Sequence, residues 1–410
     1  MKILTKHSVS ILMLFWLSGC NNEVQNELTL NYAHLNYLYK EINLPNGKQA
    51  GIIHIYSNYP NYNYDIEPKE GFTCVDDVAR AVLLLSKDNN QWSKIVKLTE
   101  FLLYMQNENG WFNNFIWNDL SINYTYKTSV AEPSWWSWRA LWALESALPV
   151  LKKNKPELAK RVEKAINNLI PIIITHFNTL PISTKIVHGI TVPTQLPFGS
   201  ATDQAAILTV GLTLYFERTK DESIKKIIYQ LSDGILMMQI KNGKAKGAFL
   251  SWENRWHAYG NLQSYALLKA GKLLDNDRYI KAALFEIDNF YTYLSKGNFV
   301  SDLEFNMANN EITIIKSQKY AQIAYGIRPI IYACTEAFKQ TGKLKYKTMA
   351  IEWLNWFNGK NIASAKMYNK TNGRCFDGII SRSEINKNSG AESTIEALLS
   401  IIEIKSIIQN

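Results

Sequence analysis

The residues of this 410-residue chain best suited to chemistry are carboxylates in short segments that read as helix starts. Asp76 and Asp77 are adjacent, and Thr73-x-x-Asp76, Ser129-x-x-Glu132, Ser200-x-x-Asp203 and Ser389-x-x-Glu392 share one spacing. Glycoside hydrolysis needs two carboxyl groups across a scissile bond, one as acid and the other as base or nucleophile. The same spacing also suits a capping box, whose hydroxyl and acid satisfy free N–H groups of the first turn for about 1 kcal/mol. Both readings stand at each site. A helix N-terminus favours an ionised carboxylate, which suits a base. A general acid needs a raised pKa and belongs in a less cationic place. Glu253, flanked by Trp252 and Trp256, fits that description, the alternative being a salt bridge to Arg255. Asp377 before Gly378 is another acid candidate and also an ordinary turn aspartate. Adjacent helical residues point about 100° apart, so Asp76 and Asp77 reach one ligand only at a helix end. Otherwise Asp76 caps and Asp77 pairs with a cation such as Arg80. The expected roles are Asp77 as base and Glu253 as acid.

A second chemistry is open to 254–259, where Asn254 and Arg255 precede His257 and Tyr259. Elimination from a uronic acid needs a neutralised carboxylate and a base, and Asn/Arg with His/Tyr supply both. A sugar site also wants flat side chains. Trp111 and Trp117 fall in one loop, Trp135 and Trp136 follow Glu132, and Trp252 and Trp256 flank Glu253. With Arg255, Tyr259 and Asp377 these form the candidate binding set. Trp138 and Trp142 lie four apart, at core spacing.

The elements that position these residues alternate between two kinds of helix. Segments 28–41, 92–106, 157–175, 222–241, 277–294 and 344–358 carry charge on one face and read as surface helices. Segments 76–85, 133–148, 203–216, 258–274, 323–340 and 391–404 are apolar nearly all round and read as buried. Links from buried to surface helices are short and the return links are long. All long loops therefore emerge at one end, around the buried-helix starts that carry the acids. Six such hairpins predict an all-α (α/α)6 barrel. An open α-solenoid also alternates helices but uses shorter loops.

With these features the chain resembles the six-hairpin glycosidase superfamily over most of 28–405. The local segments that carry the likeness are Cys74-Val75-Asp76-Asp77-Val78-Ala79-Arg80 and Gly390-Ala391-Glu392-Ser393-Thr394-Ile395-Glu396, similar to glycosidase-like bacterial proteins. The Asp76–Asp77 pair is similar to the adjacent catalytic Asp pair of some six-hairpin endo-mannanases. The resemblance implies a glycan-active enzyme, a glycoside hydrolase first. A polysaccharide lyase and a non-catalytic glycan-binding protein are the alternatives. No cofactor is needed by the preferred chemistry.

Residues 1–20 begin with Lys2 and Lys6, run apolar from Ser8 to Leu17, and end Leu17-Ser18-Gly19-Cys20. That ending resembles the bacterial lipobox, which implies cleavage after Gly19 and a lipid on Cys20. The expected organisation is a leader over 1–19, a tether over 20–28 and one barrel domain over 29–410. A lipid-anchored place in the cell envelope, at the outer membrane or cell surface, follows from it. The formal charge of +9 is spread along the chain without a basic, aromatic-laced run, which argues against nucleic acid. There is no CxxC and no zinc-type His/Cys spacing, so no metal is expected. Cys74 and Cys375 precede the first and sixth buried helices. In a closed barrel they come within contact distance, close enough for a disulfide, whereas Cys334 reads as a buried free thiol.

Overall fold

The computed structural model describes residues 29–408; the leader and the whole 20–28 tether, Cys20 included, lie outside the described residues. Twelve α-helices alternate outer and inner. The outer set is α1 (Ala33–Leu38), α3 (Trp92–Tyr104), α5 (Pro156–Thr179), α7 (Glu222–Met237), α9 (Asp277–Glu286) and α11 (Leu344–Leu354). The inner set is α2 (Val75–Leu85), α4 (Trp135–Asn154), α6 (Thr202–Thr219), α8 (Gln263–Leu274), α10 (Ala324–Thr341) and α12 (Ala391–Ile408).

The two patterns of hydrophobicity lead to two environments. In α2 every residue but Asp76 is buried, and in α10 burial is continuous from Ala324 to Ala337. In α5 it is confined to one stripe, including Leu158, Val162, Ile166, Leu169, Ile173 and Phe177, at the three-to-four spacing of a single helix face. Each inner helix packs on the next, and α12 packs back on α2. The ring is therefore closed, and the fold is an (α/α)6 barrel. Close approach is built in at Gly211 of α6, where a Cβ would stand 3.2 Å from Leu141 Cγ of α4.

Turns set the polarity. Inner helices pass to outer ones through brief links such as Lys155 alone, or Lys220–Asp221 with Lys220 left-handed at φ 59°. The return loops carry short antiparallel hairpins, among them Thr184–Val187 with Ile190–Pro193. A three-stranded sheet joins Arg255–His257, Asp302–Ala308 and Glu311–Gln318. These loops form one rim around the inner-helix N-termini.

Two expectations are corrected. The surface helix expected over 28–41 is only the six-residue α1, and Tyr39–Asn43 continues as a strand. Its partner strand Gln49–Ile53 is buried from Ala50 onward and packs on α3, so a hairpin covers much of the surface a longer helix would have covered. The second correction is the disulfide: Cys74, Cys334 and Cys375 are all free and buried. Cys74 Sγ instead accepts the Asp77 N–H at 3.4 Å as the cap of α2, and the Cys375 thiol donates to Phe376 O at 3.6 Å.

Candidate active site

The rim encloses a cavity of about 450 Å³ at the inner-helix N-termini. The α2 start contributes Asp76, Asp77 and Arg80, α4 contributes Trp135 and Arg139, α10 contributes Tyr325, and α12 contributes Glu392 and Ser393. Rim loops add Tyr56, Glu70, Phe115, Tyr259 and Asp377.

The acids are not spent on capping boxes. The Ser129 hydroxyl accepts from the Phe115 N–H at 2.9 Å and so braces a loop, while Ser200 Oγ accepts from the Glu253 N–H at 3.1 Å. The first turn of α2 is satisfied instead by a neighbouring loop. Asn114 O accepts from Val75 N at 2.8 Å, and Asn114 Oδ1 accepts from Asp76 N at 3.2 Å. This leaves the carboxylates free to pair across the cavity floor.

That floor is an ion-pair network. Arg139 donates to Asp76 at 2.6 Å and to the Tyr325 hydroxyl at 2.8 Å. Arg80 reaches Asp77 at 2.8 Å, Glu392 at 2.7 Å and Glu396 at 3.2 Å. Arg328, deeper in the barrel, donates twice to Glu396. The Tyr325 ring lies under three guanidinium groups, 4.8 Å from Arg80 and 5.4 Å from both Arg139 and Arg328. Buried charges persist only when paired in this way.

The acids of the network sit in different surroundings. Glu392 sits deep in the mouth, yet its side chain keeps 40% of its accessibility because it faces the open cavity. Loss of bulk water pushes its carboxyl up to about 7 against the pull of Arg80, with repulsion from Asp77 and Glu396 adding to the rise. Asp77 is also raised by burial, against the opposing pull of Arg80, and its side chain is only 4% exposed. Asp76 is more open, at 19%, and Asn114 Nδ2 approaches its second oxygen at 3.3 Å. Asp377 lines the cavity, accepting from Ser393 Oγ at 2.6 Å and Gly390 N at 2.8 Å. Burial raises its carboxyl too.

The other candidates lie elsewhere. Glu253 is outside the cavity lining and pairs with Lys185 at 2.6 Å rather than with Arg255. Its left-handed backbone, φ 50°, swings it toward the 184–193 hairpin. Arg255 turns to Asp302, and Asn254 donates to Phe305 O at 2.8 Å. Asp203 pairs with His257 Nε2 at 2.9 Å, and His257 Nδ1 lies 2.8 Å from Tyr259 O, so both ring nitrogens meet oxygen acceptors. Tyr259 alone of that cluster lines the cavity, stacked on His257 at 3.7 Å. Trp111 is buried against Trp138, Trp256 is fully buried against Phe290, and the buried Trp136 donates to Val130 O. Trp252 is exposed on the rim, donating to Phe198 O at 3.4 Å. Trp117 and Glu132 also lie outside the lining, whereas Trp135 is in it, 5.0 Å from the Arg139 guanidinium. Arg80, Arg139, Tyr325 and Glu396 complete a site that the spacing of the acids alone does not reveal. Among the described residues no group of three or more His, Cys, Asp or Glu is placed to hold a metal ion.

No family model matches the sequence, and a search of curated proteins finds no match. Solved structures do match in fold. A sugar epimerase from a ruminal bacterium superimposes with a TM-score of 0.61 at 12% identity, over 94% of this chain and 99% of that one. A cellobiose 2-epimerase from Bacillus thermoamylovorans gives 0.61 at 13% identity, over 94% and 99%. A GH76 α-mannanase from Bacteroides thetaiotaomicron gives 0.52 at 10% identity, over 83% and 89%. The chain thus shares its (α/α)6 fold with these structures.

Proposed function

We propose that the protein is a glycan-active enzyme that hydrolyses glycosidic bonds in this cavity, with Glu392 as general acid and Asp76 as its partner carboxylate. The observation that carries the reading is the pair of acids at one mouth with different surroundings: Glu392 raised to about 7, and Asp76 ion-paired to Arg139 at 2.6 Å. An acid that keeps its proton near neutral pH can protonate a leaving oxygen while a second carboxylate serves as base or nucleophile. Arg80 holds Glu392 and Asp77 on different nitrogens of one guanidinium, which makes Asp77 a positioning residue. Trp135, Tyr259 and Tyr56 offer flat faces for a sugar ring.

Charge selects the sugar. The lining contains five carboxylates, Glu70, Asp76, Asp77, Asp377 and Glu392, against two arginines already bound to acids. A uronate would find no uncommitted cation there, so neutral or basic glycans fit best. Elimination and epimerisation both need a base with a free lone pair. His257 is committed on both sides, Nε2 to Asp203 and Nδ1 to the Tyr259 carbonyl, and burial raises the Tyr259 hydroxyl away from the phenolate.

The lipobox-like Leu17-Ser18-Gly19-Cys20 supports an envelope protein tethered through a lipid on Cys20. Among the described residues no helix is long and apolar enough to cross a membrane. The functional test is product mass after incubation with defined oligosaccharides. Hydrolysis adds one water per cut, elimination adds none, and epimerisation leaves the mass unchanged.

A further inference from the structure

The backbone entering α10 is extended at Ile323, with φ −125° and ψ 158°. Successive side chains on such a segment point to opposite sides. Ile323 lines the acidic cavity, and Gln322 lines a second one of about 570 Å³ on the outer rim. A single strand-like segment therefore separates the two.

The second cavity is built differently. Its walls are Phe299, Trp353 and Trp356, with the Phe299 and Trp353 rings 5.6 Å apart at 59°. Trp353 is 6% exposed, and its indole N–H meets no acceptor. Exposed Glu352 and Lys360 border the opening as an acceptor and a donor. Another wall is the kinked turn at 294–297, where Lys296 and Gly297 leave helical geometry and Gly297, at φ 84°, has open space beside it.

We propose that this cavity is a second sugar subsite, which holds a distal neutral residue of a glycan whose reacting bond lies in the first cavity. The proposal rests on the glycan reading of that first cavity. Aromatic walls meet the apolar face of a sugar ring, and Glu352 and Lys360 meet its hydroxyls. Only chains long enough to cross the Gln322–Ile323 segment use it, so its contribution is to the binding of longer substrates.

The test is 19F NMR of the full chain labelled with 5-fluorotryptophan, in a Glu392→Gln background that prevents turnover. Trp135→Phe and Trp353→Phe variants assign the two resonances. The probes are cellotetraose, maltotetraose and α-1,6-mannotetraose at millimolar concentration, with the matching disaccharides. The expected result is that at least one tetraose shifts both resonances while its disaccharide shifts Trp135 alone. Combining Glu352→Gln with Lys360→Met should weaken the Trp353 response at least tenfold and leave the Trp135 response to the disaccharide unchanged. A tetraose that shifts Trp135 without Trp353 overturns the subsite and leaves the first cavity's reading standing. Silence at both resonances across the panel overturns both. A shift at Trp353 alone retains a sugar site there and removes the first cavity's reading.

Discussion

Arg80 of α2 donates to Glu392 of α12 at 2.7 Å, across 312 residues of chain. One bond thus fastens the first inner helix to the last and positions the acid on which the proposed chemistry depends. Barrel closure and the candidate site share the same contact.

The first prediction concerns that acid. Glu392→Gln keeps the shape and the bond from Arg80 but cannot deliver a proton. Turnover should fall by about 10²–10⁴-fold, the usual contribution of a positioned acid. In the unmodified protein the protonated form is active, so activity should decline as pH rises through about 7. That alkaline limb should disappear in whatever activity the variant retains. A full-strength variant would remove Glu392 from the chemistry.

Arg80→Met should destabilise the fold. It leaves Asp77 without its 2.8 Å partner and removes a cation from Glu392 and Glu396. Breaking a buried pair from one side costs about 3–5 kcal/mol. Urea unfolding measures it, and adding Asp77→Asn should recover part of the loss, because the carboxyl stranded by the loss of Arg80 is then replaced by a neutral amide.

One buried acid outside the cavity should cost the fold stability as pH rises from 5 to 8. Glu286 is fully buried, accepts from Ser264 and Phe249, and is pushed up to about 7 by burial. Its folded pKa lies above the unfolded value, so the folded state binds the proton more tightly. The cost is absent below about pH 4.5 and fully present above pH 7, at about 3 kcal/mol. Glu286→Gln should raise the thermal midpoint relative to the unmodified protein by more at pH 8 than at pH 5; His34 and His54, lowered to about 4, and Glu392, raised to about 7, titrate alike in both proteins and cancel in the difference. Glu403, lowered to about 2 by Lys87 and Lys339 despite its burial, acts in the opposite sense and only in acid, so it leaves the window alone. A midpoint difference between the two proteins that is the same at pH 5 and pH 8 contradicts the assignment.

Cys20→Ala should release the protein from membranes in a bacterial host and abolish labelling by a radioactive fatty acid. Undiminished labelling of the variant would rule out that anchor.

Much of the ring is legible in sequence for a physical reason. Helices such as 323–340 are apolar on all sides and have to be enclosed, whereas 157–175 shows one stripe. Loop lengths then place Asp76 and Glu392 at one end. Glu253 is harder to place, because chain proximity to Trp252 and Trp256 says nothing about direction. A left-handed residue there sends its carboxylate to Lys185, and strand alternation buries Trp256. The tryptophans divide between core and cavity by tertiary packing that spacing does not encode. The arginine network does leave a trace. Arg80, Arg139, Arg328 and Glu396 are charges on otherwise apolar helices, and a charge in that position needs a buried partner. Reading those residues together would point to the cavity floor without coordinates.

The most direct test of the central claim is mass spectrometry of products formed in 18O-water from neutral, amino-sugar and uronate oligosaccharides. The wild-type protein and the Glu392→Gln variant are compared. The account predicts cleavage of a neutral or amino-sugar chain with one 18O gained per cut, no cleavage of uronates, and at least a hundredfold loss in the variant. Unsaturated uronate products, or equal rates for the two proteins, would contradict it.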